Sequence, residues 1–181
     1  SILTQTVGIV VTLIDGVYKW FWQVFDWSGN TYSAQNNTAT IDKTKPIVSI
    51  VYPLNISYNL NVSAINYTIT DAHPNKCWYS NDSGVNNYSI QNCGLNFTNV
   101  ISKEGSNTWR VYSNDTSGNL NFSSITFFKD TIYPLISYGT NTQNSGVNLS
   151  QNWTYVNITY TELNFANITF SLYNDSATVN S

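Results

Sequence analysis

The stretch Asp15-Gly16-Val17-Tyr18-Lys19-Trp20-Phe21-Trp22-Gln23-Val24-Phe25-Asp26-Trp27-Ser28-Gly29-Asn30 reads as a β-strand running into a tight turn. Tyr18, Trp20, Trp22 and Val24 fall on alternate positions, the period of a pleated strand. The Asp-X-Ser-Gly-Asn close supplies a glycine that tolerates positive φ. The pattern returns 89 residues later, where Glu104, Gly105, Trp109, Asp115, Ser117, Gly118 and Asn119 stand for Asp15, Gly16, Trp20, Asp26, Ser28, Gly29 and Asn30. Asp42, Thr44 and Pro46 return as Asp130, Thr131 and Pro134 at a shift of 87 to 88, which implies a small deletion in a loop. Asn66-Tyr67-Thr68-Ile69-Thr70-Asp71 reappears as Asn157-Ile158-Thr159-Tyr160-Thr161-Glu162. Self-similarity at a fixed, domain-sized period implies tandem modules.

Strand periodicity runs through the rest of the chain, and helical periodicity is not found. Return strands follow the two turns, over Tyr32 to Ile41 and Phe122 to Lys129. Pro46 and Pro134, which lack an N–H, mark module junctions rather than central strands. A new module opens on Ile47-Val48-Ser49-Ile50-Val51, continues through Val62 to Thr70 with Ile65, Tyr67 and Ile69 alternating, and then through Lys76 to Ser80. Short strands punctuated by Gly, Asn and Pro, six or seven in about 90 residues, describe a two-sheet sandwich. The expected fold is all-β and modular: residues 1–42 form the C-terminal half of a module, 43–130 a complete one, and 131–181 the N-terminal half of a third.

Only 9% of residues are charged, whereas 41% are hydrophobic and 15% aromatic, so the chain has a core to bury and is not a charge-rich disordered segment. Solubility then needs another source, and fourteen Asn-X-Ser/Thr triplets offer one: Asn36, Asn55, Asn61, Asn66, Asn81, Asn87, Asn96, Asn114, Asn121, Asn148, Asn152, Asn157, Asn167 and Asn174. N-linked glycans are expected on them, and no other cofactor. A net charge of −3 with scattered Lys19, Lys43, Lys45, Lys76, Lys103, Arg110 and Lys129 gives no phosphate-tracking patch, which excludes nucleic acid as an expected partner. The apolar run Val7 to Ile14 falls short of the roughly 20 residues of a membrane span. With no initiator Met and no basic signal-peptide start, the chain reads as processed or excised, and any membrane anchor is expected outside it.

At these residues the chain resembles, over its whole length, the immunoglobulin-like repeats of large archaeal and bacterial cell-surface proteins. Such repeats read Asp-Gly-X-Tyr, an aromatic strand, Asp-X-X-Gly-Asn, a second strand, then Asp-Thr-X-X-Pro. Asp15-Gly16-Val17-Tyr18 and Asp26-Trp27-Ser28-Gly29-Asn30 match that pattern. The second copy departs from it by carrying Asn107 at the place of Tyr18, which puts a tyrosine anchor at that corner in question. The resemblance implies an extracellular β-sandwich used in stalks, envelope layers, adhesins or filaments, and it implies nothing further about function.

Cys77 and Cys93, an even pair in an extracellular β-sandwich, are expected to form a disulfide. Their spacing suits a staple between neighbouring strands or across a hairpin loop, not a bridge between sheets. The inventory for catalysis is poor. His73, the single histidine, stands beside Pro74 in a loop-like stretch with no nucleophile motif, and neither a tetrahedral metal set nor a Gly-rich phosphate loop occurs. No enzyme and no metal site is expected. Asp26, Asp42, Asp71, Asp115 and Asp130 read as turn and strand-end residues rather than as a calcium cluster.

A half-sandwich exposes its core face and unpaired strand edges. The two terminal halves together make about one module, so the tail of one copy is expected to complete the head of the next. That contact is heterologous and open-ended, and it builds filaments. Thirteen of the fourteen triplets lie after residue 50, which leaves the first half-module nearly bare. Opposite Tyr18, Trp20 and Trp22 its strand carries Phe21, Phe25 and Trp27, where the second copy has Arg110, Asn114 and Thr116. Phe21, Phe25 and Trp27 are expected between subunits, since exposed aromatic patches mark interfaces. The expectation is a glycosylated extracellular filament subunit whose partners are other copies of itself and neighbouring or host cell surfaces. The alternative is a spacer or recognition repeat of a large adhesin or glycan-binding stalk.

Overall fold

The computed structural model describes residues 4–174 and 178–180. The chain is all-β, and no helix occurs among the described residues, so none is long and apolar enough to cross a membrane. It divides into two bodies, residues 1–131 and 132–181.

The first body opens with an antiparallel hairpin in two tiers. β1 (Gly16–Trp20), β2 (Gln23–Phe25), β3 (Thr31–Ser33) and β4 (Asn37–Ile41) follow in order, with β1 paired to β4 and β2 to β3. At the tip the Asp26 carboxylate accepts the N–H of Ser28 (2.8 Å), the N–H of Asn30 (2.8 Å) and the Asn30 side-chain amide (2.6 Å). Gly29 turns there at φ 85°, a left-handed value that glycine adopts without strain.

The rest of this body is a sandwich. β5 (Ile47–Tyr52), β6 (Ser57–Tyr58), β7 (Ala64–Thr70), β8 (Pro74–Ser80), β9 (Tyr88–Asn92), β10 (Phe97–Thr98), β11 (Gly105–Asp115) and β12 (Leu120–Lys129) form two sheets, one ordered β10-β7-β5 and the other β6-β12-β11-β8-β9. The strands alternate as their sequences dictate. Asn107, Trp109, Val111 and Ser113 of β11 point inward, as do Ile65 and Tyr67 of β7. Trp109, Phe127, Ile65, Val62, Val100 and Val111 are the largest apolar groups sealed in the core, and Trp109 meets Phe127 edge to face at 4.8 Å. The outer face of the larger sheet carries a Trp78–Tyr112 stack, Phe122 beside it, and Arg110 over the Phe122 ring.

Cys77 of β8 and Cys93, one residue beyond β9, form the expected disulfide between neighbouring strands of one sheet, with Cα atoms 5.0 Å apart. Closing a loop of this length contributes on the order of 3 kcal/mol in the chain-entropy account. Among the described residues one cation is buried: Lys129 Nζ reaches Glu104 (3.0 Å), the Asn61 side-chain oxygen (2.6 Å) and the Ser102 carbonyl (3.5 Å). Burying a charge requires this kind of compensation.

The repeat seen in the sequence has a counterpart in hydrogen bonding. Gly16 pairs with Ile41 as Gly105 pairs with Lys129, and Trp20 with Asn37 as Trp109 with Ile125. Asp115 accepts from Ser117 N, Asn119 N and the Asn119 amide, the same three bonds that Asp26 makes. The change of shift from 89 to 88 is not a loop deletion. Between the pairs Trp20↔Asn37 and Gln23↔Ser33 the hairpin has two residues on one side and three, Ala34 to Asn36, on the other, whereas the corresponding interval of β11/β12 has two on each. The extra residue is a β-bulge, and it splits the return strand expected over Tyr32 to Ile41 into β3 and β4. The expected strand at Lys76 begins earlier, at Pro74, and the one at Val62 begins at Ala64.

The tyrosine corner is conserved in chemistry rather than in residue. Tyr18 donates its hydroxyl to the Ile14 carbonyl (2.9 Å), and Asn107 donates its side-chain amide to the Lys103 carbonyl (2.8 Å), the corresponding position. Asn107 is buried, which a short side chain achieves by hydrogen bonding back to its own loop.

In the second body β13 (Leu135–Tyr138) pairs with β14 (Ile158–Thr161), and β15 (Leu172–Tyr173) with β16 (Thr178–Asn180). Ile136 faces Tyr160 and Tyr138 faces Ile158, as Val48 faces Ile69 and Ile50 faces Tyr67 in β5/β7.

Candidate functional site: two open half-cores

The registers assign each terminal hairpin a counterpart in the sandwich, and the counterparts are covered where the hairpins are bare. Trp109 is 0% exposed, but Trp20, at the same place on β1, is 45% exposed. Val111 is 0% exposed and Trp22 48%. In the sandwich the residues that cover Trp109 and Val111 come partly from β5 and β7, Val48, Ile50, Ile65 and Tyr67 among them. The first hairpin has no such sheet opposite it among the described residues. An open hollow of about 720 Å³ lies there, lined by Val7, Val11, Leu13, Tyr18, Trp20 and Trp22.

The second body has an open hollow of about 930 Å³, lined by Ile136, Trp153, Val156, Ile158, Phe170 and Leu172 among others. By the shift that relates Asn66 to Asn157, Trp153, Val156 and Ile158 stand where Val62, Ile65 and Tyr67 stand in the sandwich core. The Asn61 and Asn152 triplets coincide under the same shift, and so do the turns in which Asp71 accepts from His73 N and Glu162 from Asn164 N.

Phe21, Phe25 and Trp27 are exposed, as the sequence implied; Phe21 lines the hollow beside Trp20 and Trp22, and Phe25 lines a smaller one with Trp22 and Val24. Phe21 and Phe25 correspond to Arg110 and Asn114 on the outer face of the larger sheet, and Trp27 lies in the turn, fully exposed. Both faces of the hairpin are thus bare, and sequence reasoning singled out only one of them. The signal for the other was present in the match of Trp20 to Trp109 and of Trp153, Val156 and Ile158 to an apolar strand.

Between hairpin and sandwich the linker is held from both sides. Asp15 accepts from Lys43 N (3.1 Å) and the Thr44 hydroxyl (2.7 Å), and Lys43 Nζ reaches the Leu13 carbonyl (2.6 Å). From the sandwich, the side-chain amides of Asn119 and Asn121 donate to the carbonyls of Asp42 (2.9 Å) and Pro46 (2.8 Å). Glu104, the counterpart of Asp15, accepts from the backbone N–H and hydroxyl of Thr131, and these bonds, with Lys129, hold its carboxyl down at about 2. The Asn30 amide and the turn N–H groups lower the Asp26 carboxyl. Burial alone would raise the Asp115 carboxyl, but the Asn119 amide and turn N–H groups outweigh it and the net shift is downward. These carboxylates are committed to turns and joints.

The fourteen triplets separate by the state of the asparagine. Asn36, Asn55, Asn66, Asn87, Asn148, Asn152 and Asn167 are exposed. Asn61, Asn96 and Asn114 accept hydrogen bonds on the side-chain oxygen from Lys129 Nζ, Tyr67 N and Lys76 N. Asn81, Asn121 and Asn157 are half-buried, and their Nδ2, the atom that would bear a sugar, donates to the carbonyls of Ile101 (3.1 Å), Pro46 (2.8 Å) and Thr140 (3.4 Å). Asn174 is exposed, and Ser176 of its triplet lies outside the described residues.

Compared with known protein families and with curated proteins, the chain matches none.

Proposed function

We propose that the protein is a structural subunit of an N-glycosylated extracellular surface filament, built head to tail by the first half-core of one copy closing on the second half-core of the next. The observation that carries this reading is the complementarity of the two hollows: residues around Trp20 and Trp22 and residues around Trp153, Val156 and Ile158 stand for the two sides of the core sealed within residues 43–130. The contact is heterologous, because head differs from tail, and it does not close on itself without a rotation that makes a ring. Glycans on the exposed triplets would keep a chain with 9% charged residues soluble, and on the first hairpin only Asn36 would carry one. Phe21, Phe25 and Trp27 then form a second contact on the outer face of the joint.

The test is electron microscopy of the native assembly together with the mass of its polypeptide after chemical deglycosylation. Fibres whose stripped polypeptide runs near 20.3 kDa support the reading. A several-fold larger polypeptide, with each half-core covered by the next segment of one long chain, overturns it in favour of a stalk or adhesin. Phe21→Ser, Phe25→Ser and Trp27→Ser combined should shorten or abolish fibres, whereas intact fibres with lost cell or sugar binding would make that patch a recognition surface.

A further inference from the structure

In the sandwich the segment Phe97 to Ser102 serves as an edge strand. Phe97 pairs with Ile65 and Thr98 with Ala64, the Val100 N–H donates to the Ser63 carbonyl (3.0 Å), and the Ser102 hydroxyl accepts from Val62 N (3.1 Å). Its side chains Phe97 and Val100 are sealed in the core beside Trp109 and Val111. The residues ahead of the first hairpin hold the matching place. Ile14 and Lys103 are linked by the equivalent Tyr18 and Asn107 bonds, and the carbonyls just before them, of Leu13 and Ser102, each accept a lysine ammonium. Continuing the same shift, Gly8 stands for Phe97, Ile9 for Thr98 and Val11 for Val100. Yet Val7, Ile9, Val10 and Val11 are all well exposed, and no strand forms there.

The strand that such a segment would join is also identified. In the second body β14 pairs with β13 alone among the described residues. The carbonyls of Asn157 and Tyr155 already accept from Gly139 N and Gln143 N on the β13 side. Thr154 and Val156 stand just ahead of β14 and alternate with Tyr155 and Asn157, so once β14 is extended through them their backbone groups face the side away from Gly139 and Gln143. Thr154 and Val156 are the counterparts of Ser63 and Ile65, which receive the edge strand in the sandwich.

We propose that residues 7–13 of one copy add as an antiparallel strand beside residues 154–156 of the next copy, drawing that segment into the β14 strand it precedes, with Gly8 opposite Val156, Ile9 opposite Tyr155, and the Val11 N–H donating to the Thr154 carbonyl. The inference rests on the head-to-tail reading and gives it a register. Main-chain bonds supply affinity that tolerates the changed side chains, and Val11 at the place of Val100 fills the core. Leu13 has no hydroxyl, so the bond that Ser102 accepts is replaced there by apolar contact with Trp153.

Ile9 and Tyr155 take the places of the pair Thr98↔Ala64, adjacent across the strands. The variant carrying Ile9→Cys and Tyr155→Cys should therefore cross-link neighbouring copies on oxidation, while Cys77 and Cys93 stay paired with each other. Non-reducing gels should show a ladder that collapses to one band with reductant. A control with Val10→Cys and Tyr155→Cys, one residue out of register, should give at least tenfold less ladder. Fibres of both variants without a ladder, or equal ladders from both, would overturn the strand register and leave the filament reading intact. Absence of fibres in the unsubstituted chain would overturn the filament reading itself.

Discussion

Asn121 shows how one residue type can take two opposed roles. Its triplet reads as a glycan acceptor, but in the fold its amide donates to the Pro46 carbonyl and its oxygen accepts from Phe122 N. Asn121→Ala should lower the melting stability by about 1–3 kcal/mol, the cost of leaving a part-buried carbonyl unpaired. Ser123→Ala destroys the triplet and keeps the amide, and it should leave the glycan mass unchanged. Loss of one glycan in that variant, read by mass spectrometry, would contradict the assignment of Asn121 to the linker. Glu104 carries a second prediction at this scale. Its folded carboxyl lies at about 2, below the ordinary 4.5, so the stability it adds is fully present above about 4.5 and is lost as pH falls from there toward 2. Melting profiles of Glu104→Gln should show an acid-side slope shallower by one carboxylate's share, Asp26, Asp82 and Asp115 keeping theirs, and an unchanged slope would place the proton uptake elsewhere.

At the scale of the element, Trp20 and Trp109 make a controlled comparison. They hold the same register on matching hairpins and differ in what lies opposite. Trp109→Ala should cost about 3–5 kcal/mol, as large core truncations do. Trp20→Ala in the unassembled chain should cost less than about 1 kcal/mol and should weaken association instead. Chemical denaturation of both variants checks this, and a Trp20→Ala cost equal to that of Trp109→Ala would mean that the hairpin core is already closed. The strands, turns and disulfide were legible because each rests on local chemistry: two-residue alternation, the Asp-X-Ser-Gly-Asn turn and the spacing of Cys77 and Cys93. The bulge at Ala34 to Asn36 was not, since a one-residue offset looks the same in sequence whether it falls in a loop or a strand. The amide bond of Asn107 was hidden for a related reason, because it replaces Tyr18 in role and not in type. The aromatic face of Phe21, Phe25 and Trp27 was readable from alternation, while the core-side face needed the register match between distant strands.

At the scale of the molecule, the first hairpin is joined to the sandwich by a clamped linker. Asp15, Asn119 and Asn121 hold that linker through side-chain bonds to backbone, which favours a stiff joint over a flexible tether. The central claim is that the half-cores are made for each other, and sedimentation of complementary variants tests it most directly. Trp20→Ser with Trp22→Ser disables the first half-core, and Ile136→Ser with Ile158→Ser disables the second. The account predicts open-ended polymers for the unsubstituted chain, monomers for each variant alone, and dimers that grow no further when the two variants are mixed in equal amounts. Polymers from either variant alone, or a mixture that stays monomeric while the unsubstituted chain polymerises, would contradict it.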